Sequence, residues 1–416
     1  MMSLKDRFFQ LLRGTTPHAT LTLPITDEMA ETPYYREMSL RFASAQFVIY
    51  MMLGVFLAVT LLTGTDRLSI ENMTYFIKDL NTSVIVGEAG ASESLTYVSD
   101  ESNAYALYRG GLAVLGKENL TVFTATGRES YTDSVTYHTP RLLSSGRYLL
   151  AYDLGGDEYA LYNSFSSIHE KKTTTPIRSA AVSDAGYYCI ITDGSTYASE
   201  IVLYDDMFRP VNTLYLKEYA VCAAIRSSGR QMAVASVSSN VGQLATELAL
   251  CTPGEQQYQT VTLQDCYPIA LSYTSEDILM LYTTLGLYCL DEKGTELAFY
   301  PVDPDTVDTV TLNTDGCTML SRANNYNAGT KVTVFDKNGD MSYNMITDER
   351  VLDAVLLGDT LCLRFQNALS IYEQASSFPI SAAPIEGSYL TVLPYSDDEV
   401  LLCGQARAIC VTVDLP

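Results

Sequence analysis

The chain has 416 residues, 47% of them hydrophobic and 18% charged, enough apolar material for a sizeable core and too little charge for a disordered polymer. Its formal net charge is −23 at neutral pH. A surface of that sign repels phosphate backbones and anionic headgroups, so no nucleic acid is expected among its partners.

Residues 1–42 read as a tail. Its five bases (Lys5, Arg7, Arg13, Arg36 and Arg41) are matched by five acids, so the whole net charge falls on residues 43–416. Leu4, Phe8, Leu11 and Leu12 share one helical face ended by Gly14, which fits an interfacial helix and equally a frayed tail. Between Arg41 and Asp66 lie 24 residues without a charge. A bilayer core takes about 20 helical residues, and a helix satisfies its own backbone there. The spacing predicts one transmembrane helix over 43–64. The run is too long and too far from the start for a cleaved signal peptide, and no A-x-A site comes after it. It reads as a signal anchor. The bases of the tail outnumber Arg67 and Lys78 beyond the helix, which places the N-terminus in the cytoplasm and the C-terminal domain outside. Residues 65–81 form a juxtamembrane linker.

From residue 82 to 416 the chain reads as short runs of Val, Ile, Leu, Tyr and Thr broken by Gly, Asp, Asn and Ser turns. One turn recurs before a short apolar strand: Arg109-Gly-Gly111, Ser144-Ser-Gly146, Ser183-Asp-Ala-Gly186, Ser227-Ser-Gly229, Ser275-Glu-Asp277, Thr314-Asp-Gly316, Gly358-Asp359 and Ser396-Asp-Asp398. The intervals run from 35 to 48 residues. A second landmark, an apolar-aromatic strand end, comes after each of the first seven turns, as at Val122-Phe123, Leu161-Tyr162, Leu203-Tyr204 and Val334-Phe335. A period near 40 residues holding four short strands is the signature of a β-propeller blade. The fold class is therefore all-β: a propeller of seven or eight four-stranded blades, eight favoured by the eight turns, preceded by one transmembrane helix. The first landmark is the turn between strands one and two of each blade, the second the turn between strands three and four. The last blade lacks a fourth strand before the chain stops. Ser83-Val-Ile-Val86 or Leu95-Thr-Tyr-Val98 is expected to supply it and close the ring.

These turns resemble the Ser-x-Asp-Gly turns of WD40-like and quinoprotein-like propellers. The sequence departs from both in having no Trp, so its 30 Tyr and 13 Phe are expected to take over the docking of blades, and a quinone cofactor stacked on indole is not expected. The layout from tail through anchor to Met73-Thr-Tyr-Phe-Ile-Lys-Asp-Leu80 and Ala106-Leu-Tyr-Arg-Gly-Gly-Leu-Ala-Val114 is similar to an uncharacterised Gram-positive bacterial family of single-pass, membrane-anchored propellers. That resemblance implies a fold and no activity.

Nine cysteines, odd in number and without C-x-x-C, sit in apolar runs and read as small buried hydrophobes, with a disulfide or two as the alternative. Asp336-Lys-Asn-Gly-Asp340 has the alternating oxygens of a calcium loop but no downstream bidentate Glu, and it also satisfies a hairpin turn, the preferred reading. Asp303, Asp305 and Asp308 form an acidic connector, read as solvated. Catalysis of the Ser-His-Asp type would have to use His138 or His169, both read as surface or loop residues. No G-x-S-x-G, H-E-x-x-H or phosphate loop occurs, and no catalytic residue, metal ligand or cofactor is assigned. Asn72, Asn81 and Asn119 head N-x-S/T triplets that matter only in a eukaryotic secretory pathway. The function expected is a non-enzymatic binding or scaffold module of the cell envelope, with an envelope protein or cell-wall polymer as ligand. The alternatives are a sensor signalling through the short tail and a hydrolase using paired carboxylates.

Overall fold

Among the described residues, the apolar runs between turn signals in the second part of the chain form strands of two to nine residues. The computed structural model describes residues 94–412, apart from 164–165, 241, 256, 324–328, 358–359, 374–375, 377 and 397–398, together with residues 46, 49–52 and 54. The chain divides into two units, 1–84 and 85–416. In the first, the six described residues are helical, and Ile49, Tyr50, Met51 and Met52 are each more than half exposed. Among the described residues no helix is long and apolar enough to cross a membrane; most of the span expected at 43–64 lies outside them.

The second unit is a ring of eight four-stranded antiparallel sheets, which settles the blade count at eight. Blades 1 to 7 are consecutive, spanning 104–134, 140–172, 177–216, 219–264, 268–301, 307–346 and 353–384. Blade 8 takes three strands from 391–412, and its fourth is Leu95–Thr96, paired Leu95↔Ala408 and Thr96↔Arg407. The second of the two expected closing segments therefore seals the ring; the first, 83–86, lies outside the described residues. Six of the first landmarks fall in the turns between strands one and two; residues 358–359 and 397–398 of the other two lie outside the described residues, and the third strands of blades 1 to 7 end at or next to the second landmark.

The burial pattern explains the composition of each strand. Second and third strands such as Gly111–Leu115, Leu149–Asp153 and Gly286–Leu290 are buried along their whole length. They read as continuous apolar runs because both faces pack against a neighbouring blade. Alternate residues serve alternate neighbours: Leu149 and Ala151 pack toward blade 1, Leu150 and Tyr152 toward blade 3. The core is thus eight wedges, one per pair of neighbouring blades. Each fully buried leucine in them contributes about 2 kcal/mol relative to exposure. Outer strands, such as Tyr258–Gln264, are largely exposed and carry the polar residues.

Tyrosine replaces tryptophan at the joints. Tyr108 of blade 1 donates its hydroxyl to Arg147 O of blade 2 at 2.6 Å, Tyr300 of blade 5 to Gly339 O of blade 6 at 3.0 Å, and Tyr395 of blade 8 to Ala125 O of blade 1 at 2.5 Å. Each ring fills a wedge while its hydroxyl caps a carbonyl of the next blade's turn, the two-part chemistry that indole usually supplies.

Seven of the nine cysteines are buried and all are free thiols. Burial pushes Cys189, Cys251, Cys317, Cys362 and Cys403 up to about 12, so these side chains stay neutral at physiological pH and act as apolar filler.

Candidate interaction face

Antiparallel blades sort their connections onto two faces. The turn face carries the hairpins joining strands one to two and three to four. The connection face carries those joining strands two to three and the links between blades. Among the described residues, sixteen large hydrophobic side chains of the ring are exposed, and eleven of them lie on the connection face. The distribution is uneven around the ring as well. Tyr197, Tyr215, Tyr219, Leu244, Tyr267, Ile269 and Leu285 fall in blades 3, 4 and 5. Tyr197, in the link between strands two and three of blade 3, packs against Tyr215 at the end of its outer strand, ring centroids 5.5 Å apart.

Blade 4 shapes this sector. Its second and third strands, Met232–Asn240 and Gln243–Cys251, are nine residues each, against five to seven in the other blades. Tyr219, at the start of the inner strand, pairs with Val237, and the hairpin runs three further rungs, through Ser238↔Ala245 and Ser239↔Leu244 to Asn240↔Gln243. At about 3.3 Å per residue it projects about 10 Å beyond the inner strand, while the outer strand follows it as far as Ala245↔Gln264. Leu244, near its tip, is 42% exposed. No motif marks this hairpin in the sequence. Its one signal is the 48-residue interval between Ser227 and Ser275, the longest of the series.

The motifs singled out in the sequence fall mostly on the turn face and are occupied by local structure. Asp336 Oδ1 accepts the amides of Asn338 and Asp340 at 2.9 and 3.0 Å, and its Oδ2 accepts from Asn338 Nδ2. The calcium-like loop is therefore a hairpin turn built around its own first carboxylate. Asp291 does the same for blade 5, accepting the amides of Thr295 at 2.7 Å and Lys293 at 2.8 Å. Those bonds hold the Asp291 carboxyl below its ordinary value of 3.8. A depressed folded value means that the contribution to stability is complete above the unfolded value and is lost as the pH falls through the folded one. The destabilisation caused by Asp291→Asn is thus expected to be constant from pH 5 to 8 and to shrink below about pH 4. Urea titrations of the two proteins across that range check it; a difference that grows on acidification would refute the assignment.

The acidic connector also has internal partners. Asp303 accepts the amide of Asp305 and caps the short 3-10 turn Pro304–Thr306, while Asp308 lies 3.8 Å from both Arg322 and Arg350. His138, with its side chain 90% exposed, sits in the link to blade 2, where the buried Asp153 accepts the amides of His138 and Thr139 and lies 3.3 Å from the ring Nδ1. His169 is on the outer strand of blade 2, its ring stacked on Phe208 at 5.3 Å; burial lowers its pKa. The two histidines belong to different parts of blade 2. Asn119 begins the third strand of blade 1, and Asn72 and Asn81 lie outside the described residues.

The model of DUF5711, a family of unknown function, matches residues 89–400, most of the chain and nearly the whole ring. The chain belongs to DUF5711. No curated protein matches it. Among solved structures, the DUF5711 ring is similar to BamB from Moraxella catarrhalis, at 10% identity and a TM-score of 0.49 over 77% of this chain and 99% of that one. It is similar to the WD40 domain of SCAP from fission yeast, at 12% identity and 0.49 over 78% and 98%. It is also similar to the WD40 domain of Neurospora crassa Pan2, at 9% and 0.46 over 78% and 90%.

Proposed function

We propose that this DUF5711 chain is a membrane-anchored binding scaffold of the cell envelope. In this reading the propeller lies outside the cytoplasm and docks a protein partner through the connection face of blades 3 to 5, without catalysis. The observation that carries the reading is the concentration of exposed aromatic and aliphatic side chains on that one face and sector. Scattered single hydrophobics are normal on a protein surface, whereas a set gathered on one face of three neighbouring blades, beside a projecting hairpin, points to area that a partner covers. Tyrosines suit it, since they bury much area at a small entropic cost. Support for the anchor is the uncharged run between Arg41 and Asp66, and for the orientation the bases before it.

Site-specific photocrosslinking in intact cells tests the docking face. A crosslinker at Tyr219 or Leu244 is expected to yield a protein adduct of discrete mass, lost when Ile269→Asp is added. A crosslinker at Leu297, exposed on the outer strand of blade 5 near the turn face, is expected to yield none. The same adducts from all three positions would sink the reading. Protease added to intact cells tests the orientation: the ring is expected to be digested without lysis, and its protection would place it inside.

A further inference from the structure

A cleft of about 500 Å³ lies in blades 1 and 2, outside the apolar sector of blades 3 to 5, between the outer strand of blade 1 (Glu129–Ser134) and the third and outer strands of blade 2 (Glu158–Tyr162 and Ser167–Lys172). Three carboxylates line it, from Asp133, Glu158 and Glu170. Glu158 is paired with Lys172, and Glu170 accepts from Ser167 Oγ. Asp133 accepts the amide of Ser134. The second lysine nearby, Lys171, places its Nζ 4.8 Å from the centre of the Tyr204 ring. Among the described residues, Asp133 and Glu170 have no cationic partner.

Three tyrosines also line it; Tyr159 packs into the wedge between blades 2 and 3, and the other two belong with the carboxylates. Tyr137 is 5% exposed and Tyr162 1%, and both belong to the core between blades 1 and 2. Burial raises the pKa of both hydroxyls, and the carboxylates of Asp133 and Glu170 push each of them the same way. Both phenols therefore stay protonated beside a concentration of negative charge, and their oxygens keep lone pairs for an incoming donor. The cleft thus offers two carboxylates without a cation and two neutral hydroxyls around one space.

We infer that this cleft binds an organic cation, an ammonium or guanidinium group whose N–H donors reach Asp133, Glu170 and the two tyrosine hydroxyls. The acceptors match such a group: an ammonium brings three donors and a guanidinium five, and each bond to a carboxylate is charge-assisted. A metal ion fits less well, since the described residues contain no group of three His, Cys, Asp or Glu able to hold one. A sugar ring fits less well, since Tyr137 and Tyr162 are packed in the core and offer no open ring face for stacking. The inference is independent of the connection-face reading. The cation can be a lysine or arginine side chain of a partner or a free polyamine; both share the chemistry.

Calorimetric titration of the full-length protein at low ionic strength tests it, with spermidine and with capped Gly-Lys-Gly and Gly-Arg-Gly peptides as probes. One saturable site is expected, about tenfold weaker in the double variant D133N/E170Q, as charge-assisted bonds are lost. Tyr137→Phe, which keeps the ring and removes only the hydroxyl, is expected to weaken it severalfold. D303N/D305N removes the same charge from the connector of blade 6 and is expected to leave it unchanged. Saturation by spermidine alone identifies a polyamine site, and saturation by a peptide a side-chain site. Failure of every probe to saturate, or equal weakening by D303N/D305N, would overturn the inference, the latter by showing only the diffuse charge of the domain.

Discussion

Replacing Gly316 by alanine is expected to destabilise the propeller by about 3 kcal/mol or more, enough to leave much of a marginal population unfolded. Gly316 opens the second strand of blade 6 with φ +136°, a conformation that L residues avoid. An added Cβ would lie 2.1 Å from the carbonyl oxygen of Phe335. That neighbour is backbone, held at the end of the third strand by the pairing Cys317↔Phe335, so it cannot rotate away. Both Cys317 and Phe335 belong to the wedge between blades 5 and 6, and any shift is transmitted to it. Gly146→Ala is the control. Its backbone is ordinary, and its nearest neighbour is the Asp184 carboxylate at 3.6 Å, so a change within about 0.5 kcal/mol is expected. Denaturant titrations of the two variants decide the matter; equal midpoints would remove the steric argument.

The closing strand should be nearly as sensitive. The double variant L95D/Y97A is expected to cost about 3 kcal/mol and to open the ring at one place. Only two residues pair with the last strand, so side chains supply most of the seal. Tyr97 donates its amide to Ala406 O at 3.1 Å and its hydroxyl to Gly404 O at 2.7 Å. Its ring lies 5.9 Å from Tyr105 and 6.5 Å from Phe123, within the wedge where Leu95 also packs. Hydrogen exchange should show the amides of Arg407–Thr412 losing protection while blades 3 to 5 keep theirs. Uniform loss around the ring would mean that closure governs the whole domain rather than its seam.

The architecture was legible because each blade repeats one demand. Two buried strands need unbroken apolar runs, and the turn after the first needs small polar residues. The eight turns therefore counted the blades correctly, even where Asp277 stands in place of glycine with φ +64°. Closure was legible because the last blade reads as three strands and the segment 95–98, ahead of blade 1, offers a fourth. The sites were less so. The apolar sector is assembled from three blades, and Tyr215, Tyr219 and Ile269 look individually like strand residues facing a core. Only the ring shows them exposed together. The cation cleft was invisible for the same reason: Asp133 and Glu170 are two of 49 acids, and what distinguishes them is the pair of buried phenols brought in by a neighbouring strand and link.

The seam between Leu95–Thr96 and Arg407–Thr412 also sets a timetable for synthesis. Tyr97 and the carbonyl that holds it, Gly404 O, are 307 residues apart in the chain. Translation at about 5–20 residues per second separates their emergence by roughly 15–60 s. For that interval the first blade exists without its last neighbour, and Leu112, Val114 and Phe123 face no partner. Each later blade covers the flank of the one before it, but this first flank waits for the final strands. Contacts so distant in sequence form slowly, because the loop must close before they can contribute. The nascent ring is therefore an open arc with one adhesive end, and the period before closure is when a holding chaperone would matter most.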